Sequence, residues 1–243
     1  MATLYITLQG KGGVGKSFLT FVYAQWALDR GIEVICVDTD TLNPTLSQYE
    51  PLKATHIKLS TDHVINPLAL DALIGIVDTA GDAQVVVDVG SNGFETLMAY
   101  ETENGVFDLL REQGHEVVIQ TVLAGGPDAE ETLKGARALL KATTVPVILW
   151  FNEHLGPLEY QGRSMMEMKF IQEAGERIRG TVVMHARTRT TFGKAVEEML
   201  SRRLTFAEAI SCFDLMPRSR IQKVRDDLYG QLDVVAGIEE KAA

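Results

Sequence analysis

Cysteine is scarce: the 243 residues hold two, Cys36 and Cys212, with no C-x-x-C pair. That excludes a disulfide-stapled secreted fold and a thiolate metal cluster, and it suits a reducing, cytoplasmic setting. Cys36 falls in an apolar run and reads as a small core residue. The five histidines (His56, His63, His115, His154 and His185) form no i, i+4 pair, so no metal is expected beyond one brought by a ligand. Basic residues are outnumbered, 23 Lys and Arg against 33 Asp and Glu, for a net charge of −10. This excludes charge-driven binding of DNA or anionic lipid over the whole surface and leaves a local basic patch open. No apolar run reaches the roughly 18 residues of a membrane span. The chain opens on a strand pattern, so no secretory leader is expected. The stretch Gly237-Ile238-Glu239-Glu240-Lys241 is acidic, whereas a membrane-lying helix is basic and apolar, so no stable membrane anchor is expected. Repeats, low-complexity segments and linkers are also missing, which suits one domain over residues 1–243.

What is present is alternation. Residues 3–8, 32–38, 84–88, 116–123, 145–151 and 181–185 read as strands, with a short one at 56–60. Between and after them, residues 18–30, 66–76, 93–113 (broken at Asn104-Gly105), 127–141, 164–173, 191–203 and 217–235 read as helices. Asn66 and Pro67 suit the cap and first turn of the second helix, and Thr205 to Glu208 fits a capping box. Unbroken apolar strands alternating with helices predict a three-layer α/β fold, a mostly parallel twisted sheet with helices on both faces. Such sheets bind ligands beyond the carboxyl ends of their strands.

The stretch after the first strand is Gly10-Lys11-Gly12-Gly13-Val14-Gly15-Lys16-Ser17, which fits the phosphate-binding loop G-x-x-x-x-G-K-[ST]. Its glycines let successive backbone N–H groups turn toward a polyphosphate. Lys16 is placed to reach the β- and γ-phosphates, and the Ser17 hydroxyl to bind Mg²⁺. The helix opening at Phe18 adds the partial positive charge of its N-terminus, and Leu19, Val22, Tyr23, Trp26 and Ala27 share one face. Acids stand at other strand ends. Asp38 and Asp40 follow the second strand, and Asp88 follows Val85-Val86-Val87 in the Walker B pattern, where a carboxylate holds Mg²⁺.

With Lys11 beside Lys16, the run Lys-Gly-Gly-Val-Gly-Lys-Ser resembles the deviant Walker A loop of the ParA/MinD family of P-loop ATPases. That resemblance implies an ATP-dependent homodimer in which Lys11 crosses the interface to the partner's ATP. It implies that Asp40 orients or deprotonates the attacking water, that Asp38 supports the magnesium shell, and that Asn152, ending the strand Val147-Ile148-Leu149-Trp150-Phe151-Asn152, hydrogen-bonds adenine. Asn152-Glu153-His154-Leu155 lacks the N-K-x-D acid of a GTPase, which favours ATP/ADP. Two departures are visible. Thr41 stands where many relatives carry proline, and Asp88-Val89-Gly90-Ser91 replaces Asp followed by prolines, though a glycine N–H there still suits a γ-phosphate. Leu8-Gln9-Gly10, Gly114-His115-Glu116, Gly156-Pro157 and Arg203-Leu204-Thr205-Phe206 are similar to the TraL-type proteins of conjugative and mobilisable plasmids. The expected function is a Mg²⁺-dependent, weakly hydrolysing ATP switch with a plasmid transfer or partition protein as partner. One alternative is a partition ATPase that binds nonspecific DNA through Arg202, Arg203, Arg218, Arg220, Lys223 and Arg225. Another is a small-molecule ligase resembling dethiobiotin synthetase.

Overall fold

The computed structural model describes residues 1–41, 43–61 and 64–238, so His63 and the acidic run 239–241 lie outside the described residues. At the centre is β1 (Thr3–Thr7), paired in parallel with β6 (Gln84–Asp88) on one side and β7 (Glu116–Ala124) on the other. Beyond β6 lie β2 (Val34–Asp38) and β3 (Thr55–His56). Beyond β7 lie β8 (Val147–Asn152) and β11 (Ile178–Met184). Every pairing in this seven-stranded sheet is parallel. Two short antiparallel ribbons stand apart from it, β4 (Ser60–Thr61) with β5 (Val64–Ile65), and β9 (Glu159–Tyr160) with β10 (Arg163–Ser164). The chain builds out on one side of β1 and then crosses to the other, so the loop after β1 opens where the strand order reverses.

Period-two alternation divides the strands' side chains between two cores. Leu4, Ile6, Val85, Val87, Val117, Ile119 and Leu149 face α2 (Pro67–Thr79), α3 (Gly93–Asn104), α4 (Val106–Glu112), α5 (Ala129–Ala142) and α6 (Lys169–Ala174). Tyr5, Cys36, Val86, Val118, Ile148 and Trp150 face α1 (Lys16–Asp29), α7 (Lys194–Ser201), α8 (Phe206–Cys212) and α9 (Leu215–Ala236). This is the layered parallel fold that the alternation predicts.

Several elements differ from expectation for local reasons. α1 is buried on far more than one face, because α8 and α9 cover its outer side: Phe206 stacks 5.8 Å from Phe21, and the Phe206 amide donates to Gln25 Oε1. Residues 56–60 are not one strand, since β3 ends at His56 and Ser60 opens a ribbon. The helix expected at 164–173 is only α6, because Ser164 closes a hairpin and a 3₁₀ turn, Met165–Glu167, follows. β11 begins three residues early, with an irregularity at Gly180, where a side chain would meet Val235 of α9 at 2.6 Å. Asn66 occupies the cap position of α2 without a side-chain cap bond, whereas Thr205 and Glu208 do form their capping box.

Candidate functional site

The loop from Gly10 to Lys16 leaves β1 and enters α1 through two left-handed glycines, Gly13 (φ 77°) and Gly15 (φ 104°), a backbone that a side chain would strain. No side chain caps α1, so its first N–H groups remain directed at the loop. Val14 is fully buried and anchors the loop in the core. Lys16 is 7% exposed, and its ammonium donates to the Lys11 carbonyl at 2.7 Å. Burial pushes its pKa down, while Asp88 and Asp40 oppose that shift.

Behind the loop, Asp88 ends β6 and is 1% exposed. Thr20 Oγ1 lies 3.3 Å from its Oδ1, and its Oδ2 has no hydrogen-bond partner among the described residues. Burial raises its pKa to about 6, the Ser17 hydroxyl beside it opposes the rise, and Asp38 and Asp40 add to it. Asp38 is fully buried, with Oδ1 accepting from the Asp40 amide (3.1 Å) and Oδ2 from the Ser47 amide (2.9 Å). Both oxygens thus hold the segment after β2 in shape. Asp40 accepts from the Asn43 amide at 2.9 Å and lies over Gly90, where a Cβ would sit 2.6 Å from Asp40 Cγ. That contact accounts for glycine in Asp88-Val89-Gly90-Ser91: a bulkier residue would displace Asp40.

Among the described residues no three or more His, Cys, Asp or Glu side chains form a metal site by themselves. Mg²⁺ needs no such set, because it takes one or two protein ligands and completes its shell with phosphate oxygens and water. A buried carboxylate with an unpartnered oxygen next to the loop serine is a donor set that fits this ion.

Beside the loop is a cavity of about 260 Å³. Phe18, Leu155, Met184, Phe192 and Val196 give it apolar walls, and Gly13 and Gly15 open it toward the phosphate loop. Asn152 lines it, with both amide atoms engaged within the chain. Its Nδ2 donates to the Val14 carbonyl and its Oδ1 accepts from the His154 amide, both at 2.9 Å. Asn152 therefore straps the loop to β8, leaving one N–H and one Oδ1 lone pair. Asp227, also at the cavity, accepts from Arg187 and from Gln231 (3.1 Å). Met184, Phe192 and Val196 carry no motif, and sequence reasoning missed them.

Lys11 does not point away from its own chain. Its ammonium pairs with Asp128 (3.3 Å) and Glu131 (3.0 Å) at the start of α5. Gln9, also missed, is buried and donates to the carbonyls of Val122 (2.9 Å) and Thr132 (3.2 Å). The late basic cluster is largely consumed locally. Arg202 pairs with Glu198 and Arg225 with Asp226, while Arg203 and Arg218 donate to backbone carbonyls.

A parallel sheet with a glycine loop, buried lysine and strand-end acids at its reversal point defines a P-loop nucleoside triphosphatase fold of the MinD/ParA type. The cell division ATPase MinD of Pyrococcus furiosus aligns with a TM-score of 0.52 over 95% of this chain and 99% of that one, at 15% identity. A McdA variant of Cyanothece, solved in complex with ATP, aligns with 0.53 over 100% and 99%, at 11% identity. No family model matches the chain. In sequence it is 35% identical over 242 residues to protein TraL of Escherichia coli, covering 97% of this chain and 99% of the relative. The chain belongs to the TraL family. Among its described residues no helix is long and apolar enough to cross a membrane.

Proposed function

We propose that this protein is a Mg²⁺-dependent ATP switch that hydrolyses slowly, pairs with a second copy of itself when ATP is bound, and serves plasmid conjugative transfer or mobilisation from the cytoplasm. The observation that carries the reading is Lys16, buried in the glycine loop, with the unpartnered Asp88 oxygen beside Ser17. The loop amides and Lys16 bind the phosphates, while Ser17 and Asp88 hold the ion. When bound, Mg²⁺ offsets charge on the β- and γ-phosphate oxygens. Asp40 orients a water toward the γ-phosphorus and takes up its proton, so that water and ATP give ADP and phosphate. The apolar cavity receives the base. Adenine is favoured because Asn152-Glu153-His154-Leu155 lacks the N-K-x-D acid of a GTPase. Direct DNA binding draws less support, since four of the six basic residues in the late cluster are engaged within the chain.

Titrating the protein with ATP, ADP, a nonhydrolysable analogue and GTP, with and without Mg²⁺, under light scattering tests the reading. Mg²⁺-dependent adenine nucleotide binding with mass doubling in ATP alone or its analogue is expected. Absence of binding, or one mass in every nucleotide, would overturn it. Lys11→Ala should bind ATP yet fail to double in mass. Asp40→Ala should bind ATP, lose at least about tenfold in turnover and accumulate as the ATP-bound pair. Gly90→Ala should reproduce that phenotype while Asp40 is kept, because the added Cβ would lie 2.6 Å from Asp40 Cγ and displace the carboxylate. Phosphate release assays check both, and unchanged turnover in Asp40→Ala removes its assignment.

A further inference from the structure

We infer that Glu153 and the Arg187–Asp227 pair are positioning residues: they clip the far wall of the cavity beside the phosphate loop into place, and so set the share of affinity that a nucleotide gains from its base. This rests on the ATP-switch reading, in which that cavity receives the base. One wall of the cavity belongs to the loop and to β8, through Gly13, Gly15 and Asn152. The other is the chain running from the end of β11 into α7, with Met184, Phe192 and Val196 as its apolar lining. The two walls come close, since a Cβ at Gly15 would lie 3.7 Å from Met184 Cε.

The far wall has little regular structure of its own. β11 ends at Met184 and α7 opens only at Lys194, with a single π-helical turn, Arg189–Gly193, before it. Two side-chain clips span the gap. Met184 lies opposite Asn152 in the parallel register of β11 and β8, so the residues that follow the two strands leave side by side. Glu153 Oε2 accepts from the Ala186 amide at 3.0 Å and lies 3.2 Å from His185 Nδ1. It thereby ties the start of the far wall to the end of β8, one residue beyond the strap that Asn152 makes to the loop.

The second clip comes from α9. The Gln231 side chain docks on β11 by two bonds, accepting from the Val183 amide at 2.6 Å and donating to the Val183 carbonyl at 3.0 Å. Its Nε2 also donates to Asp227 Oδ1 at 3.1 Å, which leaves Oδ2 aimed at Arg187. The Arg187 guanidinium, held by that carboxylate, sits 5.2 Å from the centre of the Phe192 ring, within reach of its negative face. Phe192 is thus steadied from α9 through Gln231, Asp227 and Arg187 in turn. Dispersion contacts fade within an ångström of added separation, so a wall slack at either clip gives up its grip on a flat ring while the phosphate loop keeps its own.

Two measurements on the full chain test this, one of which needs no ligand. The first is calorimetric titration with ATP and with inorganic tripolyphosphate, both with Mg²⁺, read as the ratio of the two affinities. A charge removed near the phosphates moves both ligands together, whereas a slack wall moves ATP alone. Glu153→Ala should lower the ratio by roughly three- to tenfold, the equivalent of one hydrogen bond, and Arg187→Ala should do likewise. Glu153→Gln keeps an acceptor for the Ala186 amide and should stay near wild type. Retained tripolyphosphate binding shows that the variants are folded. The second measurement is amide hydrogen exchange in peptides covering residues 185–193 of the ligand-free chain. Exchange there should be several-fold faster in both alanine variants, a change that mere contact of either side chain with a base would not produce. An unchanged ratio or unchanged exchange in Glu153→Ala overturns the inference, as does a wild-type chain that binds tripolyphosphate as tightly as ATP. A wild-type chain that binds neither overturns the nucleotide reading instead, while exchange still decides whether the clips hold the wall.

Discussion

Lys16→Ala is expected to weaken ATP binding by roughly a hundredfold or more, the equivalent of one or two charge-assisted hydrogen bonds at about 1.5–3 kcal/mol each. Lys16 is 7% exposed and sits inside the loop, and the loop's other lysine is turned to Asp128 and Glu131. Without Lys16 the loop would offer the phosphates its backbone N–H groups and no ammonium, with Asp40 and Asp88 close by. Lys16→Arg should fare little better, because a planar guanidinium is bulkier than the ammonium that this buried position accommodates. Calorimetric titration with ATP checks both, alongside a thermal melt to show that the chain is folded. An affinity within threefold of wild type would remove Lys16 from the site.

Asp88→Asn is expected to make the nucleotide-free protein more stable at pH 7.5 while removing its response to Mg²⁺. Burial holds the Asp88 carboxyl at about 6, above the ordinary 3.8, so the folded chain keeps this proton to higher pH than the unfolded chain does. The folded state then binds more protons between about pH 4 and pH 6. Its stability through this group falls as pH rises across that window, and the full penalty stands above it. A shift of this size corresponds to at most about 3 kcal/mol, a melting temperature higher by at most roughly 6–12 °C in a chain of this length. Thermal melts at pH 4.5 and 7.5 should show the gap between variant and wild type widening with pH. Adding ATP and Mg²⁺ should reverse the order, because the ion stabilises only the chain that keeps its carboxylate. A variant that melts lower than wild type at pH 7.5 without ligand would show that burial does not disfavour this charge.

The sheet and the phosphate loop were legible in the sequence because their signals are local. Unbroken apolar runs such as Val85 to Val87 suit only strands covered on both faces, and a glycine series ending in Lys16-Ser17 has few uses between a strand and a helix. Burial of α1 was only partly legible. Its face toward the sheet showed as periodicity, but Phe21 and Gln25 are covered by residues 206 and beyond, a contact that no local pattern announces. The cavity walls were hidden for the same reason, being ordinary apolar residues from β11, the turn after it and α7. The bonds of Asn152 to the Val14 carbonyl and the His154 amide were not legible, because they join residues that no local pattern brings together. The company of Lys11 could have been suspected from the acids opening α5, but only the tertiary fold shows that Gln9 brings that turn to the loop.

The strap from Asn152 to Val14 has a consequence for how a nucleotide arrives. The bond ties the loop to β8 when the chain folds, so on the proposed reading an incoming triphosphate would meet a loop already held in shape. Little backbone freedom would then have to be surrendered at the moment of capture. On the proposed reading, timing would then be left to the steps after entry: the meeting of two loaded chains, the cleavage of the terminal phosphate and the escape of what remains.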